Sequence, residues 1–241
     1  MKKIVCTLAI TCGLISAANA QDKKQETIEG NGKLETKNVS VKSFDALSAS
    51  GIFELKMSQG SAESVKLEGD ENLLEYIAVH NDGSKLVIDM DKLKNKNVNF
   101  KTKNKLKVYV TFRKLKNMDL SMVGNVNSND QLAFDDLDIN NKGVGNLDLN
   151  LSANSVSLKN KGVGNVTLSG KANSATIMNT GVGSLKAGNF AVQSMNIENT
   201  GVGSAEINAE KDVKVRSSGI GSVKNKGAAP MPRKNRASVV I

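Results

Sequence analysis

The chain has 241 residues and a formal charge of +9, room for one elongated domain and too little for two sizeable ones. Its single histidine, His80, sits in the polar turn context Val79-His80-Asn81-Asp82-Gly83, so histidine-built metal centres and Ser-His-Asp triads have almost nothing to use. With no tryptophan, two tyrosines and six phenylalanines, the flat aromatic platforms of sugar clefts are equally scarce.

Residues 1–20 carry the pattern of a secretory signal peptide: Lys2-Lys3, an apolar run from Ile4 to Ile15, and the small-x-small site Ala18-Asn19-Ala20. Lipoprotein cleavage at Cys12 competes, but Thr11 suits it poorly and the apolar run continues past it. Cleavage after Ala20 removes Cys6 and Cys12 together, so the exported chain is expected to rely on burial and strand pairing without disulfides. No other stretch approaches the roughly 18 apolar residues that span a bilayer. The expected location is the periplasm or the cell surface.

Residues 21–37 are polar and without pattern, which predicts a flexible lead-in. From residue 38 the strand signal begins. Phe53, Leu55 and Met57 alternate, as do Val65 with Leu67 and Leu86, Ile88 and Met90, with turns at Gln59-Gly60-Ser61 and Asn81-Asp82-Gly83. Between them, Asp70 to Ile77 predicts a short helical turn with Asp70 as N-cap. This irregular half is expected to cap the repeat that follows.

From Asp91 to Lys116 there are ten basic residues against one acid. Within that stretch Leu106, Val108, Val110 and Phe112 alternate with Lys105, Lys107, Tyr109 and Thr111, a half-buried strand. One reading is a solvated face whose lysines guard an edge. The other is a polyanion-binding stripe of Lys101, Lys103, Lys105 and Lys107, extended by Arg113 and Lys114, for lipopolysaccharide or an acidic glycan. Nucleic acid is excluded as a partner, since export and the lack of interleaved aromatics both oppose it.

Between residues 122 and 227 the chain repeats itself. Gly143-Val144-Gly145-Asn146, Gly162-Val163-Gly164-Asn165, Gly181-Val182-Gly183-Ser184, Gly201-Val202-Gly203-Ser204 and Gly219-Ile220-Gly221-Ser222 follow Met122-Val123-Gly124-Asn125 at spacings near 20 residues. Such a period marks a solenoid, and strict alternation with glycine corners makes each coil one of strands. The fold class is therefore all-β: one parallel β-helix over residues 38–227, expected right-handed, with coils of about 20 residues and an irregular N-terminal cap. Three inward apolar columns are predicted. The first runs Val123, Val144, Val163, Val182, Val202, Ile220; the second Val126, Leu147, Val166, Leu185, Ala205, Val223; the third Ile139, Leu158, Ile177, Ile197, Val215. Two residues past the third lie Asn141, Asn160, Asn179 and Asn199, which predict a buried amide ladder. Gly-Val-Gly is not a phosphate loop, because no helix and no Lys-Ser/Thr follow it. Residues 228–241 form a basic tail, with Ser238–Ile241 a possible closing strand.

Ser48-Ala49-Ser50-Gly51-Ile52-Phe53-Glu54-Leu55, Gly69-Asp70-Glu71-Asn72-Leu73-Leu74 and the tandem Gly-Val-Gly-Asn/Ser repeats together resemble the bacterial “putative autotransporter adhesin, head GIN domain” family over roughly residues 39–226. The resemblance implies a secreted single-domain β-helix of Bacteroidetes-type bacteria, and no translocator barrel accompanies it here. It brings no catalytic or binding residues to carry over.

Two function classes follow. One is a non-enzymatic surface or periplasmic adhesin or structural binding module, with no cofactor and no metal. The other is a glycan-active lyase or hydrolase, which needs clustered carboxylates in a cleft. Its candidates, Asp135, Asp136, Asp138, Glu198, Glu206 and Glu210, fall at outward positions, so the non-enzyme is favoured. Oligomeric state has no signature in the sequence.

Overall fold

The computed structural model describes residues 26–94 and 98–232. The expected signal peptide and the possible closing strand lie outside them. In the irregular half the strands are β1 (Glu26–Glu29), β2 (Leu34–Val39), β3 (Ala46–Ile52), β4 (Glu54–Gln59), β5 (Ser64–Asp70), β6 (Ala78–Asp82), β7 (Lys85–Asp89), β8 (Val98–Lys101) and β9 (Lys107–Phe112). The repeat half has β10 (Asn117–Val123), β11 (Val126–Ser128), β12 (Leu132–Asn141), β13 (Leu147–Asn160), β14 (Val166–Asn179), β15 (Leu185–Asn199), β16 (Ala205–Ser217) and β17 (Val223–Asn225). One helical turn, α1 (Glu71–Leu74), follows β5.

From β10 onward, neighbouring strands pair in parallel, one repeat apart. Leu147, Val166, Leu185, Ala205 and Val223 are successive partners, and so are Ile139, Leu158, Ile177, Ile197 and Val215. Equivalent side chains thus stack at the strand spacing of about 4.8 Å. All of these are buried except Val215 and Val223, which are half-buried in the last repeat. The second and third predicted columns lie in the core.

The first column is not. Val123, Val144, Val163, Val182, Val202 and Ile220 stack as parallel bridges, but they face solvent, with Val163 49% exposed. Parity gives the reason. Asn141 and Leu147 both point inward and lie three residues either side of Val144, so strict alternation sends Val144 outward.

The irregular half enters the stack out of sequence order. β10 lies on β3 and β3 on β7, while β11 lies on β4 and β4 on β9, all in parallel. From β2 at the edge the chain therefore enters the stack at β3 and β4, runs back out through β5 to β9, and returns at β10. At this end of the stack the pairing turns antiparallel, with β6 on β7, β5 on β9 and β2 on β5. The sheet is mixed, which corrects the expectation of parallel coils throughout residues 38–227. Gly83-Ser84, a two-residue connection between β6 and β7, can join only antiparallel neighbours. The flexible lead-in is also corrected. From residue 26 it is drawn into strands, β1 in parallel on β8 and β2 on β5, through backbone bonds that need no apolar pattern.

Leu158→Asp, at a site 1% exposed, is expected to lower stability by several kcal/mol, because it buries an unpaired carboxylate. Val163→Asp is expected to stay within about 0.5 kcal/mol of the parent. Urea midpoints of the two variants check this assignment of inside and outside.

Candidate ligand-binding face

Each repeat turns at its Gly-Val-Gly step. At Gly164 φ is 136°, and a Cβ would stand 2.2 Å from the Gly145 carbonyl oxygen of the adjacent repeat. Only glycine lets the two backbones meet there. Behind the corner, Asn141 Nδ2 donates to Asn160 Oδ1 at 2.8 Å, Asn160 to Asn179 at 2.7 Å, and Asn179 to Asn199 at 2.7 Å. The same oxygens accept local backbone N–H groups, Gly143 on Asn141 and Gly162 on Asn160. On the solvent side, Asn125, Asn146 and Asn165 accept the backbone N–H of Asn146, Asn165 and Ser184. Both rows fasten the corner, the inner carboxamides by bonding one another and the outer ones by accepting from the backbone of the next repeat.

A second fastening point was only half legible. Asp70 precedes α1 but makes no side-chain cap bond to it. It is fully buried, and its carboxylate accepts from the N–H groups of Gly32, Lys103 and Asn104 and from Asn104 Nδ2, at 2.8–3.0 Å. Burial pushes this carboxyl up, and the bonds from Asn104, Lys103 and Gly32 together outweigh it, so its pKa lies below the ordinary aspartate value. The Gly-Asp pair of the sequence signals this site, but the loops that donate are 33 to 38 residues away.

The lysine stripe does not form one free cationic row. Lys101 ends β8, and Lys103 lies in the following loop, 3.5 Å from Glu29. Lys105 meets Glu54 at 2.9 Å and Lys107 meets Glu68 at 2.8 Å. The Lys105 and Lys107 bonds hold Glu54 and Glu68 below the usual carboxylate range, and Glu68 raises Lys107. Lys114 reaches Asp135 at 3.8 Å between two largely exposed side chains, a contact of little energy. Arg113 borders a shallow hollow with Ser43, Phe44 and Glu63.

The carboxylates considered for catalysis stay apart. Asp135, Asp136 and Asp138 are exposed; Ser155 Oγ donates to Asp136 at 2.6 Å and, with Asn154, keeps its pKa low. Glu206 pairs with Lys226. His80 Nδ1 stands 3.9 Å from Asp89, too far for a hydrogen bond. Among the described residues no three His, Cys, Asp or Glu side chains gather as a metal site.

What the strands do assemble is an outward groove across β14, β15 and β16. Ser174, Ser194 and Asp212 are register partners, as are Thr176, Asn196 and Lys214, and Met178, Glu198 and Arg216. These residues line two adjoining open depressions of about 400 and 570 Å³. The groove offers hydroxyls and a carboxamide in regular rows, with two cations at its rim and two acids beside them. No ion pair within 4.0 Å engages Lys214 or Arg216 among the described residues.

These features define an all-β repeat protein whose stacked strands carry rows of exposed side chains on their outer faces. The chain belongs to the family described as “Putative auto-transporter adhesin, head GIN domain”, which matches residues 43–229. It is similar to the crystal structure of a “putative adhesin” from Bacteroides fragilis NCTC 9343, at 28% identity and a TM-score of 0.75, over 82% of this chain and 99% of that one. A “putative adhesin” from Parabacteroides distasonis ATCC 8503 is 21% identical, with a TM-score of 0.58 over 83% of this chain and 100% of that one. A “putative lipid binding protein” from the same strain is 18% identical, with a TM-score of 0.56 over 85% and 98%. The last two show the fold alone. None of the curated proteins matches the chain.

Asn160→Ala leaves Asn141 Nδ2 without its acceptor and Asn179 Oδ1 without its donor, and is expected to cost about 1–3 kcal/mol in urea unfolding. Asn150→Ala, at a half-buried site, is expected to cost less. Asp70, with its lowered pKa, contributes stability that is present above its unfolded pKa of about 3.9 and is lost as pH falls through the folded value. Asp70→Asn is therefore expected to lower the urea midpoint at neutral pH and to flatten its fall on acidification.

Proposed function

We propose that the repeat half is a parallel β-helix, and that the chain is an exported, non-enzymatic binding module of the cell envelope, of the adhesin kind. Its partner is a glycan with sparse acidic groups, from lipopolysaccharide or an acidic polysaccharide, lying in the groove across β14 to β16. The observation that carries this reading is the in-register set of Ser174, Ser194, Thr176 and Asn196 beside Lys214, which has no ion pair among the described residues. Hydroxyls and amides in rows match sugar hydroxyls, and one ammonium can take a carboxylate or phosphate. Glu198 and Asp212 keep the groove near neutral, so a dense polyanion is a poorer fit than a lightly charged glycan.

The non-catalytic reading is supported by the partners of the carboxylates with lowered pKa, because Glu54, Glu68 and Asp70 are each engaged in strand or loop fastening. Export is supported by the leader pattern in the sequence and by the adhesin name of the family. No described helix is long and apolar enough to cross a membrane.

The test is binding of immobilised lipopolysaccharide and of an acidic polysaccharide, with a neutral polysaccharide as control. A Lys214→Gln, Asn196→Ala variant is expected to bind about thirtyfold more weakly or worse, the loss of one charged and one neutral hydrogen bond. A Lys101/103/105/107→Gln variant is expected to bind like the parent. The reverse order would place binding on the lysine stripe, and turnover of any glycan would overturn the non-enzymatic reading.

A further inference from the structure

The outward valine row has no role in the core, yet every repeat keeps it. Val123, Val144, Val163, Val182, Val202 and Ile220 are 45–74% exposed and bridge one another in parallel, so they form one line about 24 Å long. Strand preference alone does not account for them. Threonine is β-branched too and would serve an exposed strand position without showing apolar surface. Outward neighbours two residues away are hydroxyls, amides or lysine, as in Lys161, Asn165, Thr180 and Ser184. A straight apolar row with a polar border on both sides is the pattern of a contact face.

We propose that this row is the interface between two copies of the chain, packed side by side with the second copy reversed along the stack. Three features select a second copy as occupant. Both rows have the same repeat of about 4.8 Å, so side chains of one can seat between those of the other along the whole line. Reversal about a point between Val163 and Val182 sets Lys142 and Lys161 against Thr200 and Thr180 of the second copy, and no lysine meets a lysine. It also brings Asp119, at one end of the next row out, opposite Arg216 of the second copy at the other, twice by symmetry. Because the chain turns at this step, the contact is a strip of the valine row with one flanking row on either side, about 24 by 13 Å or some 310 Å² per copy. That falls short of the roughly 800 Å² of a standard interface, so the dimer is concentration-dependent and its monomer is stable.

Sedimentation velocity over a concentration series tests this. The parent chain is expected to shift from monomer to dimer as concentration rises. Val163→Lys with Val182→Lys is expected to stay monomeric with an unchanged far-UV circular dichroism spectrum, and Val163→Thr with Val182→Thr to weaken the dimer. In a Cys6→Ser, Cys12→Ser background, an oxidised mixture of Val163→Cys and Val182→Cys chains is expected to give more cross-linked dimer than either alone. A parent chain that remains monomeric throughout overturns the proposal. So does a dimer that survives the lysine substitutions, or cross-linking with no preference for the mixture. Flotation of a monomeric parent with anionic phospholipid vesicles, abolished by the same substitutions, would assign the row to a lipid surface and equally overturn it.

Discussion

The structure depends on one close approach: the backbone of each repeat passes its neighbour at the Gly-Val-Gly corner with no room for a side chain between them. The Gly162 carbonyl accepts from Val182, and the Gly143 carbonyl from Val163, each at about the ordinary hydrogen-bond distance of a parallel ladder. A Cβ at Gly162 would stand 2.6 Å from the Gly143 carbonyl oxygen and 2.8 Å from Asn141 Nδ2. The same missing atom thus serves two ladders, one of backbone and one of buried carboxamides. Corner and strands share a single stacking distance, and every apolar column inherits its register from it.

That constraint also divides the molecule into a fixed interior and a free exterior. Inward positions are held to apolar side chains or to asparagine, because a buried polar group must find its partner in the next repeat. Outward positions carry no such demand, so the rows on the surface can differ from repeat to repeat. The groove across β14 to β16 and the valine row are both of this kind. One varies from serine through asparagine to lysine and suits a polar ligand; the other stays aliphatic although nothing in the core requires it.

How much of this could be read from the sequence follows the same division. The second and third columns and the carboxamide row were legible because each recurs at a fixed offset in repeat after repeat, and stacking converts an offset directly into contact. The valine row was misread for a physical reason: apolar character was weighed above parity, although Val144 lies an odd number of residues from both Asn141 and Leu147. The order of the irregular half was not legible. β3 and β4 bind strands that come some 70 residues later, through backbone groups that leave no trace in side-chain pattern. Nor was the buried role of Asp70, whose four donors come from two distant loops. The lysine stripe was legible as charge, but its neutralisation depends on Glu54 and Glu68, which the sheet brings across from other strands.

The most direct test of the close approach is the sign of the stability change in Gly162→Ala. Gly162 has no left-handed backbone angle, so an alanine there is unstrained, and in open space it would stabilise by about 0.4–1 kcal/mol through the unfolded chain. Gly83, with φ of 59° and nothing within 4 Å of where a Cβ would stand, supplies the opposite control of backbone strain without crowding. If the repeats meet as described, Gly162→Ala lowers the urea midpoint, and by more than Gly83→Ala does. A neutral or raised midpoint for Gly162→Ala would show that the corner has room to spare, and would contradict the account.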